Sequence, residues 1–280
     1  MDAFATDAAA ARFAPRPAGR LLTRFGGFEI AAFSAGYLLI LWRVGPHLDQ
    51  NRLAPLIIAL LAAALFYMAY FSPQRIHRDS LAIRGLGPAR RGFIRTDNWP
   101  AAARAFGALA LVGVTGVVAA ALVKQPDVFA TLDWKAFWVK LGGYFFSTLA
   151  QDLIFLSFFL VRLRALVPRP SQGSSPRASA QSARRHRIRV SLLLGLLFSV
   201  YHLPNPPLVA LTFAFGSAVA WMYYAHPHLA LAVGCHTLVG TLLHRVLGLH
   251  MRIGPFYWEP DRYILRTLFP PLRDWIGDLF

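Results

Sequence analysis

The sequence predicts an all-α, polytopic transmembrane helix bundle of about seven spans. Of its 280 residues 56% are hydrophobic and only 15% charged, against about 25% charged in a soluble domain. Mean hydropathy is +0.45. The apolar residues form long runs separated by arginine-rich loops, the pattern of helices that cross lipid.

The net charge of +16 raises the question of nucleic acid, but the arginines crowd into short loops between apolar runs. A nucleic-acid binder needs a contiguous basic face on a folded surface, and none of its motifs is present. Basic loops fit the positive-inside rule instead. The expected home is a bacterial-type inner (plasma) membrane, with membrane lipid as the surrounding partner and no nucleic-acid partner.

Residues 1–27 carry Arg12, Arg16, Arg20 and Arg24 ahead of any apolar core, so they read as a basic cytoplasmic tail without a signal peptide. Seven apolar segments follow, at about Phe28–Val44, Leu53–Phe71, Phe106–Val123, Ala136–Leu163, Val190–Leu203, Leu208–Tyr224 and Leu229–Leu247. The first three, with a basic loop between the second and third, make an N-terminal unit at 28–135. The rest form a core at 136–247. The loop Ser72–Ala105 and the linker 165–189 are rich in arginine and are expected in the cytoplasm. The linker's Ser/Pro/Arg composition predicts disorder, and the glycines of "RGLGPARRG" (84–92) predict a flexible turn. Residues 248–280 mix Trp275, Phe269 and Phe280 with charges and suit an interfacial segment.

Val190–Leu203 is too short to cross about 30 Å of hydrocarbon alone. It ends in "LFSVYHLPNPPL" (197–208), where a histidine, an asparagine and three prolines interrupt the apolar run. Irregular backbone at that depth is tolerated only when buried in protein or lining a cavity, so this stretch is a cavity candidate.

Polar residues inside spans point to a site by default, because an aspartate at a helix centre costs on the order of 3 kcal/mol. Asp152 lies beside Gln151 within the fourth span, His202 closes the fifth, Asn205 follows, and His236 lies in the seventh. Three spans can bring such groups to one cavity. Each also has a structural reading, as interhelical hydrogen bonding. Arg162 and Arg164 are expected to snorkel from the end of their span. The lone Cys235 permits no intramolecular disulfide and reads as a small buried side chain.

Taken together, these residues resemble the CPBP family of intramembrane proteases, which includes the type II CAAX prenyl endopeptidases. "FSVYH" matches its Phe-x-x-x-His motif through Phe198 and His202, and "HLPNP" continues in the family's manner. "HTLVG" stands at the His-x-x-x-Asn motif, with His236 in place and Gly240 where asparagine is usual. "QDLIFL" stands at the Glu-Glu-x-x-x-Arg motif, with Gln151 and Asp152 for the two glutamates and Leu156 for the arginine.

The resemblance covers roughly residues 136–247. It implies an intramembrane endopeptidase acting on a membrane-associated or lipidated peptide or protein. It further implies Asp152 as the candidate base, since Gln151 cannot titrate, and His202, Asn205 and His236 as metal or oxyanion ligands. His202 and His236 with a carboxylate would make a zinc site with an open position. The alternative is a catalytically silent relative that binds peptides or partner proteins in the same cavity.

Overall fold

The computed structural model describes residues 20–44, 54–87, 98–169 and 176–257, and among them every regular element is helical. Helix α1 is Arg20–Leu39 and continues as a wider π-helical turn, Ile40–Val44. Helix α2, Ala54–Phe66, runs into a π-helical stretch, Tyr67–Ile76. Then come α3 (Trp99–Lys124), the short α4 (Val128–Thr131) and α5 (Trp134–Ile154). A π-helical turn, Phe155–Phe159, joins α5 to α6 (Leu160–Leu166). Helices α7 (Pro176–Val200), α8 (Pro206–Ala225) and α9 (Leu229–Arg245) complete the bundle, before a 3₁₀ turn at Gly254–Tyr257.

Four of these are long and apolar enough to cross a membrane: Leu21–Arg43, Trp99–Lys124, Trp134–Leu166 and Pro206–Ala225, with Leu229–Arg245 apolar but shorter. This is a multi-pass membrane protein, and the full set of seven expected spans is not reproduced by length and composition. The 33-residue rod Trp134–Leu166 reaches about 50 Å at 1.5 Å per residue, so its ends extend beyond the hydrocarbon. The outer surface is apolar, with Val112 70%, Val123 88% and Phe146 71% exposed, whereas Glu29, Asp152, Arg162, Arg164 and His236 are buried. Polar groups inside and apolar groups outside suit a bundle solvated by lipid.

Helix starts follow local chemistry. The Asp133 carboxylate accepts from the Ala136 N–H at 2.9 Å and opens α5. Asn205 caps α8 by accepting from the Leu208 N–H, with Pro206 and Pro207 at the first helical positions, where a missing N–H costs nothing. The three prolines of 197–208 thus end one helix and start the next. The Leu203–Pro204 peptide bond is cis.

Several expectations are corrected. Helix α1 begins at Arg20, so residues 20–27 belong to the bundle rather than to a tail. Residues 176–189 are not a disordered linker but the first half of α7. There the composition misleads because burial of His186 and Arg187 supplies order. His186 sits between the Tyr224 hydroxyl at 2.8 Å and the Val167 carbonyl at 3.1 Å. Burial, followed by the nearby Arg169, Arg164 and Arg189, lowers its pKa. Arg187 lies over the Trp221 ring at 3.8 Å and donates to the Trp221 carbonyl. The start of "RGLGPARRG" is wedged rather than flexible. Arg84 is 1% exposed, donates to Ser157 Oγ and the Ala69 carbonyl, and accepts from the Tyr223 hydroxyl. Gly85 has φ +68° and lies against Tyr223. Residues 88–92 of that stretch and the segment 258–280 lie outside the described residues.

Arg162 and Arg164 do not snorkel. Arg162 is 3% exposed and bonds Glu29 at 3.2 Å, Asp79 at 2.6 Å and Ser72 at 3.2 Å. Glu29 also accepts from Tyr67 and Ser72 and pairs with His77. Arg164 lies over the Tyr224 ring at 4.0 Å. This network ties α1, the π-helical stretch after α2, and α6 together at one end of the bundle. The loops carrying Asp79, Arg84, Asn98 and Pro227 gather at that same end. At the other end Lys124 donates to the Leu247 carbonyl, and Asn205 to those of His250 and Arg252.

Candidate active site

Helices α5 and α9 pack side by side and hold the two groups that matter most. Asp152 Oδ1 and His236 Nδ1 are 3.1 Å apart, with both residues buried. A carboxylate only accepts, so Nδ1–H donates. One turn earlier on α5 the Thr148 and Thr237 hydroxyls meet at 2.6 Å, which fixes the register of the two helices beside the pair. Asp152 Oδ2 is buried and has no hydrogen-bond partner among the described residues. An unsatisfied buried carboxylate oxygen is costly, and Asp152 borders an open space.

The space is a cavity of about 20 Å³ bounded by Asp152, His236, Phe155, Leu156, Phe198 and Phe215, among others. That volume accommodates a water molecule. Leu156 lies in the π-helical turn after α5, and such turns recur at functional sites. The cavity therefore sets a water-sized space beside an acid with a free lone pair.

The other expected residues are placed differently. His202 is partly exposed, does not line the cavity, and donates from Nδ1 to the Phe198 carbonyl at 2.8 Å. The Phe198 ring contacts both histidines, with centroids 4.8 Å from His202 and 5.7 Å from His236. Asn205 is fully engaged: its oxygen caps α8, and its nitrogen donates to the His250 carbonyl at 2.7 Å and the Arg252 carbonyl at 3.2 Å. Gln151 bonds Ser147 at 3.0 Å, one turn back on its own helix. The structure thus joins Asp152 to His236 and leaves His202, Asn205 and Gln151 off the cavity.

Residues 133–242 match the family model described as type II CAAX prenyl endopeptidase Rce1-like. The match makes this part of the chain, less than half of its length, similar to the type II CAAX prenyl endopeptidases. No curated protein and no solved structure matches it. The Rce1-like domain begins at the Asp133 cap of α5 and ends within α9, so it contains the Asp152–His236 pair and the cavity. α1 to α4 lie outside it.

Two departures from the family's motifs have visible packing consequences. Leu156, at the arginine position, is a buried wall of the cavity. Gly240, at the asparagine position, lies against the Tyr144 ring where a Cβ would collide. The donor set also bears on zinc. Among the described residues no three His, Cys, Asp or Glu side chains gather into a group able to hold a metal ion. His202 is off the cavity, and one oxygen of Asp152 is engaged by His236. These residues do not fit a zinc ion, and the chemistry below runs through the acid and the histidine.

Neither the Glu29–Arg162 network nor the role of Asn205 as a cap was anticipated from sequence. Both had signals. Glu29 is an ionisable residue near the start of an apolar run, and Asn-Pro-Pro is a helix-start pattern.

Proposed function

We propose that this Rce1-like chain is an intramembrane endopeptidase that hydrolyses a peptide bond in a membrane-associated or lipidated peptide or protein. The observation that carries the proposal is Asp152 Oδ2, buried and unpartnered among the described residues beside a water-sized cavity, with Oδ1 held by His236. Oδ2 takes a proton from a water molecule in the cavity, and the resulting hydroxide oxygen bonds to the scissile carbonyl carbon. As the C–N bond breaks, the amine nitrogen takes the proton from Asp152, which regenerates the carboxylate. His236 orients the acid throughout. Such general-base assistance contributes about 10²–10⁴-fold in rate.

The arginine-rich loops and the N-terminus are assigned to the cytoplasmic face of a bacterial-type plasma membrane by the positive-inside rule. A second reading has its own support. Leu156 and Gly240 replace two of the family's polar positions, and Asn205 is engaged in capping, which suits a silent relative that binds a peptide without cleaving it. Comparing membrane proteomes of cells carrying the native chain and Asp152→Asn separates the two. Uncleaved precursors should accumulate with the variant. Identical peptide termini in both strains would refute proteolysis.

A further inference from the structure

We infer that Phe215 is the doorway between lipid and the cavity, and that its ring sets the size of the group that reaches Asp152. Eight of the nine residues lining the cavity are buried, and Phe215 is the exception among the described residues. It is partly exposed and belongs to α8, a helix long and apolar enough to cross the membrane. Leu211, one turn before it on the same face, is 38% exposed, as is Phe213. The exterior at this depth is hydrocarbon, so Phe215 is the wall where the cavity meets lipid.

The ring also reaches the polar pair directly, with its centroid 5.4 Å from that of His236. Gly216, the next residue, cannot give way toward the interior. A Cβ there would meet Phe198 Cδ1 at 2.9 Å and the Gly195 Cα at 3.4 Å, so α8 is packed hard against α7. A side chain that rotates or is shortened is then the cheapest way to enlarge a cavity with room for little more than water. Removing the ring leaves an opening onto lipid, because Phe215 is the partly exposed member of the wall among the described residues. A bulkier indole narrows the same opening. The remaining walls, including Phe155, Leu194 and Val219, are apolar, so the group admitted is an apolar chain or side chain.

This inference rests on the proteolytic reading for its meaning, but access is measurable without turnover. Dicyclohexylcarbodiimide, an apolar reagent that enters from lipid and modifies protonated carboxyl groups, is applied to the full chain in liposomes over a pH series that reaches well below the ordinary carboxylate range. Adduct at Asp152 is followed by peptide mass spectrometry, with Asp152→Asn as the blank. Phe215→Ala and Phe215→Leu should label several-fold faster than the native chain, and Phe215→Trp slower. Leu193→Ala, exposed on α7 and absent from the cavity wall, should match the native chain. The leucine variant serves if the alanine variant does not fold. Equal rates in all variants, or no adduct in any, would overturn the doorway and leave the proteolytic reading standing. Full processing by Asp152→Asn would defeat that reading and leave the order of labelling rates intact.

Discussion

Replacing Arg162 by methionine tests whether the buried network holds α1 to the Rce1-like domain. The guanidinium is 3% exposed and bonds Glu29, Asp79 and Ser72, while its flat face lies over the Phe158 ring at 4.7 Å. Methionine keeps most of the apolar stem and removes the charge. Glu29, 2% exposed, would retain its contacts to Tyr67, Ser72 and His77 but lose its guanidinium partner. Removing one member of a buried ion pair costs about 3–5 kcal/mol, because the remaining charge stays desolvated. At about 2–4 °C per kcal/mol for a large domain, the midpoint of thermal unfolding in detergent should fall by about 6–20 °C. Changing both partners, Glu29→Leu with Arg162→Met, should recover much of that loss, since no desolvated Glu29 charge is left. A snorkelling arginine would behave otherwise. A shift below about 2 °C for the single variant, equivalent to under about 1 kcal/mol, would refute the network's role.

Asn205→Ala should cost about 2–4 kcal/mol, from loss of a helix cap and of two hydrogen bonds worth about 1 kcal/mol each. Full thermal stability with lost processing would assign Asn205 to chemistry instead. Gly240→Asn, which restores the family's usual residue, should destabilise by about 1–3 kcal/mol through collision with Tyr144, with no gain in processing. A stable, more active variant would contradict that packing argument. A reporter inserted at residues 170–175 should report cytoplasm, and a periplasmic signal would invert the assigned orientation.

The parts of the architecture visible in the sequence are those governed by a single helix. Long apolar runs identify α3, the rod containing α5, and α8, because burial in lipid is a property of each run alone. Asp152 and His236 are legible for the same reason: a polar group in such a run is costly wherever it points. What the sequence conceals is pairing. Glu29 and Arg162 are separated by 133 residues, and only packing of α1 against α6 turns two isolated charges into an ion pair. Likewise, the Arg/Ser/Ala composition of 176–189 has no apolar face strong enough to announce a helix. Its order comes from His186 and Arg187 docking on Tyr224 and Trp221. His202 shows the converse. Its motif spacing from Phe198 is preserved, yet that one-turn spacing returns Nδ1 to the Phe198 carbonyl rather than bringing the ring to the cavity.

The most direct test of the proposed chemistry is the rate of substrate processing, corrected for protein abundance, in Asp152→Asn beside Gln151→Asn. The amide keeps the shape of Asp152 and an acceptor for His236 but cannot take a proton from water. Processing should fall by about 10²–10⁴-fold, while Gln151→Asn, altered at a side chain that bonds Ser147 on its own helix, should stay near the native rate. Native processing at native abundance in Asp152→Asn would contradict the assignment of Asp152 as the base and, with it, the proteolytic reading of the site.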